Sequence, residues 1–177
     1  MDIGGGSTEL ILGDAEGAVT AAQSFDVGSV RLRERFLHDD PPTAAQIAEA
    51  RGYVASLIDG GAVPLDGIDT FIGVAGTNTS LSAMRQGMVT YDSTRVHNSS
   101  LTAGEISALT GELLAAPVSE VRERYPFLEP MRAEVICAGA LICDEVANRV
   151  QTAMLVRETD ILDGAALDLL RRSPKLP

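Results

Sequence analysis

The sequence predicts an α/β fold with a mixed sheet: an N-terminal antiparallel meander followed by strands that alternate with flanking helices. Three observations predict it. Two strand-like runs, Glu9-Leu-Ile-Leu-Gly13 and Ala18-Val-Thr-Ala-Ala-Gln-Ser-Phe-Asp-Val27, are separated by the turn-forming Asp14-Ala-Glu-Gly17. An apolar run without polar alternation, Thr70-Phe-Ile-Gly-Val-Ala75, reads as a central strand buried on both faces. Stretches with apolar residues at three- and four-residue steps supply helices to cover the sheet.

In chain order, the meander is followed by a short helix carrying Val30, Leu32, Phe36 and Leu37, which Pro41-Pro42 separates from the next. Thr43 and Gln46 form a capping box for an amphipathic helix through Ile47, Ala50, Val54, Leu57 and Ile58, stopped at Gly60-Gly61. Gly76-Thr-Asn-Thr-Ser80 then joins the central strand to a helix opening at Leu81. Thr102 and Glu105 cap a helix through Ile106, Leu109 and Leu113, and Pro117 begins another short one. Val135, Gly139, Ile142, Val146 and Val150 continue at helical spacing, Thr152–Arg157 is a strand candidate, and Asp160–Leu170 a final helix. The expectation is one domain over residues 1–172, with Ser173-Pro-Lys-Leu-Pro177 a frayed tail.

Composition narrows the function. A formal charge of −11 argues against nucleic-acid binding through a broad basic surface, while leaving room for anions held by backbone N–H groups, a few arginines or a metal. No apolar run approaches the ~20 residues of a bilayer-spanning helix, and no secretory leader is evident, so a soluble cytoplasmic protein without a membrane partner is expected. Cys137 and Cys143, six positions apart on a helix, point about 120° apart and read as small core residues. His38 and His97 sit in polar surroundings and read as surface residues. There is no lysine-bearing phosphate loop, dinucleotide fingerprint, nucleophile elbow or clustered Cys/His signature.

What remains is phosphate chemistry through glycine loops. In Asp2-Ile-Gly-Gly-Gly-Ser-Thr-Glu9, the glycines Gly4, Gly5 and Gly6 allow positive φ and close approach of an anion, and Ser7 and Thr8 add hydroxyls. If Ile3 and Thr8 flank the turn, Asp2 and Glu9 face one another, with Cβ atoms ~4.5–5.5 Å apart. Such a pair calls for a cation, a proton or a donor between the carboxylates. Mg²⁺ suits best, with Mn²⁺ a substitute, because carboxylates, phosphate oxygens and waters complete its octahedron. A flexible glycine hairpin with solvated carboxylates is the other reading of these residues. In the second loop, Gly76, Thr77, Asn78 and Thr79 stand where a helix N-terminus favours an anion, although Thr and Asn are also ordinary caps. Arg31 and Arg35, four apart and flanking Arg33, reach an extended anion from one helix face or pair with nearby carboxylates.

Together, Asp2-Ile-Gly-Gly-Gly-Ser-Thr-Glu-Leu10, Gly28-Ser-Val-Arg-Leu-Arg-Glu-Arg-Phe-Leu37 and Gly73-Val-Ala-Gly-Thr-Asn-Thr-Ser-Leu81 resemble the exopolyphosphatase/guanosine pentaphosphate phosphatase (Ppx/GppA) family. Arg132-Ala-Glu-Val-Ile-Cys-Ala-Gly-Ala-Leu-Ile142 extends the match, which runs in order to Asp160-Ile-Leu-Asp-Gly-Ala-Ala-Leu-Asp-Leu-Leu170. The family belongs to the actin, sugar-kinase and heat-shock-chaperone superfamily. Its two α/β domains share a ribonuclease H-like fold and bind phosphates in the cleft between them; this chain resembles the second, C-terminal domain.

The resemblance implies that Asp2, Gly4 to Thr8 and Glu9 form one side of a phosphate and Mg²⁺ site. Asp2 and Glu9 would hold the metal and support catalysis, with Gly76 to Thr79 facing the same cleft. It also implies that the other phosphate loop and the glutamate usually assigned as general base belong to an N-terminal domain absent here, leaving this half weak or inactive alone. The implied partners are inorganic polyphosphate or guanosine pentaphosphate and that N-terminal domain. A surface apolar patch, or a homodimer covering it, would mark the interface. The sequence departs from the family where Asp160-Ile-Leu-Asp-Gly-Ala-Ala replaces a more basic, glycine-richer version, and no further helical domain follows, which implies the short two-domain type. A regulatory anion-binding module and an actin-like ATPase or sugar-kinase half are the competing expectations.

Overall fold

The computed structural model describes residues 1–159 and 161–172, so Asp160 and the expected tail at 173–177 lie outside the described residues. β1 (Asp2–Ile3) pairs antiparallel with β2 (Thr8–Gly13), and β2 with β3 (Val19–Phe25). Asp14 shapes the β2–β3 turn by accepting the N–H groups of Glu16 and Ala18 on Oδ1, and Gly17 takes a φ of +85° there.

A second trio consists of β4 (Phe71–Gly73), β5 (Ser100–Leu101) and β6 (Met154–Val156), with β6 in the middle, parallel to β4 and antiparallel to β5. The trios meet where Asp2 bridges Val74 in parallel. Val74 N–H donates to the Met1 carbonyl at 3.0 Å, and the Met1 amine donates to the Ile72 carbonyl at 2.8 Å. The strand order is therefore β3-β2-β1-β4-β6-β5.

The helices are α1 (Ser29–Phe36), α2 (Ala44–Asp59), α3 (Ala75–Arg85), α4 (Ser93–Val96), α5 (Ala103–Ala115), α6 (Val118–Arg124), α7 (Pro130–Val150) and α8 (Ile161–Arg172). Both expected capping boxes are present: Thr43 with Gln46 starts α2, and Thr102 with Glu105 starts α5. The long α7 is the centre of the packing, touching α1, α2, α3, α5 and β1. Its run Ala138-Gly-Ala-Leu-Ile-Cys143 is wholly buried, and small residues there let neighbouring backbones come close. Cys137 and Cys143 are free and buried, and desolvation pushes both thiols up, as suits inert core residues.

α2 is tied to α7 by ions as well as by apolar contact. Buried Asp144 accepts Arg51 at 2.7 Å and Asn148 at 2.8 Å and bonds the Ser107 hydroxyl, while Arg51 also meets Glu145 at 2.8 Å. Arg51→Met keeps the aliphatic stem but leaves Asp144 without its countercharge. The expected loss is about 3 kcal/mol, at the low end for a broken buried pair because Ser107 and Asn148 still donate. A urea titration with unchanged slope and lower midpoint checks it.

The structure corrects three sequence expectations. β4 is not covered on both faces: Phe71 and Gly73 point inward, but Ile72 is 39% exposed. Gly76–Ser80 is not a loop, because α3 begins at Ala75, whose φ of +66° turns the chain directly from strand into helix. Gly4, Gly5 and Gly6 do not need positive φ; among the described glycines only Gly17, Gly67 and Gly87 adopt it. Exposed large apolar side chains include Ile11, Val19 and Ile72 on the sheet and Leu167, Leu169 and Leu170 on α8. Among the described residues, no helix is long and apolar enough to cross a membrane.

Candidate functional site

The sheet sets the site. Because β1 and β2 pair with Asp2 opposite Glu9 and Ile3 opposite Thr8, the two acidic side chains stand on one face and Ile3 and Thr8 enter the core. Glu9 accepts the Ser24 hydroxyl from β3 at 2.6 Å, and Asp2 lies near the Met1 amine.

Residues 4–7 make the hairpin tip, held from below by α1. Ser29 N–H donates to the Gly4 carbonyl at 3.0 Å, and Val30 and Arg31 N–H groups donate to the Gly5 carbonyl at 3.0 and 3.2 Å. Gly28 makes this docking possible, since a Cβ there would lie 2.6 Å from the Gly5 carbonyl group. The loop thus supplies the acceptors that α1 needs at its N-terminus. The Gly4 and Gly5 carbonyls are turned to α1, and among the described residues the N–H groups of Gly5, Gly6 and Ser7 have no acceptor. Consecutive N–H groups in such a turn favour an anion. The Thr8 hydroxyl is not among the donors, contrary to the sequence expectation, because it is buried and donates to the Val27 carbonyl at 2.6 Å.

The Asp2–Val74 bridge brings the second predicted segment beside the first. No side chain caps α3, so its first-turn N–H groups and dipole are directed at whatever lies before it. Thr77 and Asn78 contribute backbone only: their side chains are buried, donating to the Ile3 carbonyl at 3.4 Å and the Val74 carbonyl at 2.6 Å. Asn78 Oδ1 is buried without a partner. Thr79 Oγ1 approaches the Gly76 carbonyl at 3.5 Å.

The arginines separate. Arg31 pairs with Asp26 and lies along Gly6, where a Cβ would stand 3.8 Å from its Nε. Arg35 stacks on Tyr53, 4.5 Å from the ring centroid, and Arg33 bonds the Leu37 and Asp39 carbonyls. Arg31 thus flanks the hairpin at Gly6, while Arg33 lines the groove that includes Gly5. Arg132 was not picked out as a site residue from sequence. It projects from the first turn of α7 over Gly76, close enough that a Cβ there would displace its guanidinium. It lines both a groove of about 780 Å³ shared with Gly5 and one of about 330 Å³ shared with Gly76, Thr79 and Tyr91. The available signal was an arginine just after Pro130, a first-turn position that only packing brings to Gly76.

His38 is exposed, as expected. His97 is half-buried, its Nδ1 accepting the Glu158 N–H at 3.3 Å. Tyr91 donates to Glu158, and burial first, then that carboxylate, push its phenol up to about 12. An unfolded tyrosine ionises near pH ~10, so above that point the unfolded chain releases a proton the native state keeps, and stability falls as pH rises toward about 12. Tyr91→Phe is expected to flatten that part of the profile, read as denaturant midpoints on either side of pH ~10.

With this geometry in place, the comparisons assign the chain. The model of the Ppx/GppA phosphatase family matches residues 1–171, and the chain belongs to that family. Exopolyphosphatase 2 of Mycobacterium tuberculosis is 39% identical over 176 residues, an alignment covering 96% of this chain and 54% of that protein. The crystal structure of an exopolyphosphatase-like protein superposes with a TM-score of 0.89 at 34% identity, over 97% of this chain and 58% of the other. The Ppx/GppA phosphatase of Aquifex aeolicus gives 0.86 at 29% identity, over 94% and 55%. The chain thus spans about half the length of these relatives.

Proposed function

We propose that this chain is the phosphate- and Mg²⁺-holding half of an exopolyphosphatase that hydrolyses terminal phosphoanhydride bonds of inorganic polyphosphate. It would form the C-terminal domain, residues 1–172, of a cytoplasmic two-domain enzyme with the ribonuclease H-like fold of the actin-like ATPase superfamily. The strand order β3-β2-β1-β4-β6-β5 supports that fold. The observation that carries the reading is the meeting, at Asp2 and Val74, of the hairpin bearing the Asp2–Glu9 pair with the uncapped start of α3. Similarity to Exopolyphosphatase 2 supports polyphosphate as the substrate.

Asp2 and Glu9 support Mg²⁺ as the ion, and since no group of three or more His, Cys, Asp or Glu stands together among the described residues, its other ligands would be waters and phosphate. Two opposed carboxylates supply hard oxygen ligands and leave further positions for waters and phosphate, as this ion prefers. When bound, Mg²⁺ neutralises charge on the transferred phosphoryl group. The protein's own part is positional: Asp2 and Glu9 hold the ion, the N–H groups of Gly5, Gly6 and Ser7 receive phosphate oxygens, and Arg31 and Arg132 add charge at the two margins. The general base and second phosphate loop would come from the N-terminal half.

Phosphate release from polyphosphate with Mg²⁺ tests this, comparing this chain with its upstream-extended form. The expected result is Mg²⁺ binding by both and rapid release only by the extended form. Equally rapid release by this chain alone would sink the half-enzyme reading, and absence of Mg²⁺ binding would sink the site. The groove beside Gly76 has aromatic walls, with Tyr91 and Phe127 centroids 6.0 Å apart, and this favours guanosine pentaphosphate as a second reading. Substituting that nucleotide in the same assay distinguishes the two.

A further inference from the structure

The strand register lines up one polar row across the meander. Asp2 on β1 pairs with Glu9 on β2, and Glu9 pairs in turn with Ser24 on β3. The adjoining row, Ile3, Thr8 and Phe25, is buried, so the alternation of a pleated sheet turns Asp2, Glu9 and Ser24 together to the opposite face. Glu9 thus stands between a carboxylate on one side and a hydroxyl on the other. The Ser24 hydroxyl donates to Glu9 Oε1 at 2.6 Å, the length of a charge-assisted bond from a hydroxyl to a carboxylate. Ser24 is exposed, where water competes for the same bond, so the contact adds little to folding stability. Its consequence is orientation: a glutamate tethered through one oxygen presents the other, Oε2.

We propose that Ser24 is a positioning residue for the Asp2–Glu9 pair and sets its preference for Mg²⁺ over Ca²⁺ by confining Glu9 to ligation through a single oxygen. The inference rests on the reading of that pair as the metal-holding element. Mg²⁺ demands near-octahedral ligand directions at about 2.0–2.1 Å. Ca²⁺ accepts roughly six to eight oxygens at about 2.3–2.6 Å and takes carboxylates through one oxygen or through both. The two oxygens of one carboxylate subtend too small an angle for a small octahedral ion but fit the looser shell of a larger one. With Oε1 held by Ser24, Glu9 offers Oε2 singly, which suits Mg²⁺; without the hydroxyl, both oxygens become available to Ca²⁺. The tether also fixes the Glu9 side-chain torsions before an ion arrives, so less rotamer freedom is lost on binding. Removing a group that orients a ligating side chain in this way typically costs roughly 10–100-fold in metal affinity.

The test compares the native 177-residue chain with Ser24→Ala and Ser24→Thr, titrating Mg²⁺ and Ca²⁺ separately by calorimetry. Ser24→Ala is expected to weaken Mg²⁺ binding roughly tenfold and to leave Ca²⁺ binding unchanged or tighter, so the ratio of the two affinities falls at least as far. Ser24→Thr keeps the hydroxyl on a side chain suited to a strand and should restore the native ratio. Melting without metal should agree within about 2 °C among the three chains. In the same metal-free state, NMR couplings along the Glu9 side chain should show one dominant rotamer in the native chain and in Ser24→Thr, and averaging in Ser24→Ala. An unchanged affinity ratio in Ser24→Ala overturns the proposal. So does an equal loss of both ions, which is what a general loosening of the sheet produces. Binding of neither ion by the native chain overturns the site reading and this inference together, whereas the two preceding outcomes sink the inference alone.

Discussion

Gly28→Ala is expected to destabilise the protein by about 2–3 kcal/mol and to dismantle the hairpin tip. The backbone at Gly28 is extended, with φ −140°, so conformational freedom is not the issue. The new methyl would stand 2.6 Å from the Gly5 carbonyl carbon and oxygen and 2.7 Å from the Gly4 oxygen. All three are backbone atoms, which have no rotamer by which to retreat. Separating loop from helix breaks the bonds from Ser29, Val30 and Arg31 and turns the carbonyls of Gly4 and Gly5 toward any arriving anion. Melting should fall by about 4–12 °C, with Mg²⁺-dependent phosphate binding lost in the same variant. Gly52→Ala is the control: a methyl there meets nothing within 4 Å inside α2, and the expected change is a gain of about 0.5–1 kcal/mol. Equal melting of the two variants would refute the account of Gly28.

Asp2→Asn is expected to weaken Mg²⁺ binding by roughly tenfold or more, since a neutral amide replaces one of the two proposed charged ligands. The signature is a linkage: if Mg²⁺ binds the folded state as proposed, it is expected to raise the Tm of the native chain, and this rise should vanish in Asp2→Asn and in Glu9→Gln. Without Mg²⁺ the two variants should differ. Asp2→Asn relieves repulsion with Glu9 but loses attraction to the Met1 amine, whereas Glu9→Gln relieves the same repulsion and keeps a Ser24 bond through its amide oxygen. Calorimetric titration of both variants decides the matter. An undiminished Mg²⁺-induced rise in Asp2→Asn would remove the carboxylate pair as the metal site.

Much of this protein was legible one segment at a time. The meander, both capping boxes and the Asp2–Glu9 pairing follow from local patterns, because a turn of given length fixes which residues face each other and a cap needs only residues three apart. The glycine-rich hairpin and the Gly76 segment were likewise found as motifs. Their neighbourhood was not, because the bridge from Asp2 to Val74 spans more than seventy residues and depends on where α7 and α3 pack.

Tertiary structure also decided how the marked residues are used. Nothing local says that the Thr8, Thr77 and Asn78 side chains face the core, that Arg35 stacks on Tyr53, or that Arg132 reaches Gly76 from the far end of the chain. The need for glycine shifted as well. Backbone freedom at Gly4, Gly5 and Gly6 was the local expectation, but the demand falls hardest on Gly28, where two backbones meet at a distance no side chain allows. The sequence by itself determined the meander, the capped helices and which groups carry charge, but not the start of α3 at Ala75, the short α4 or β5. Packing alone decided which of those groups stay at the surface of the hairpin and which serve the core, since a buried polar group must find its partner wherever the fold brings one.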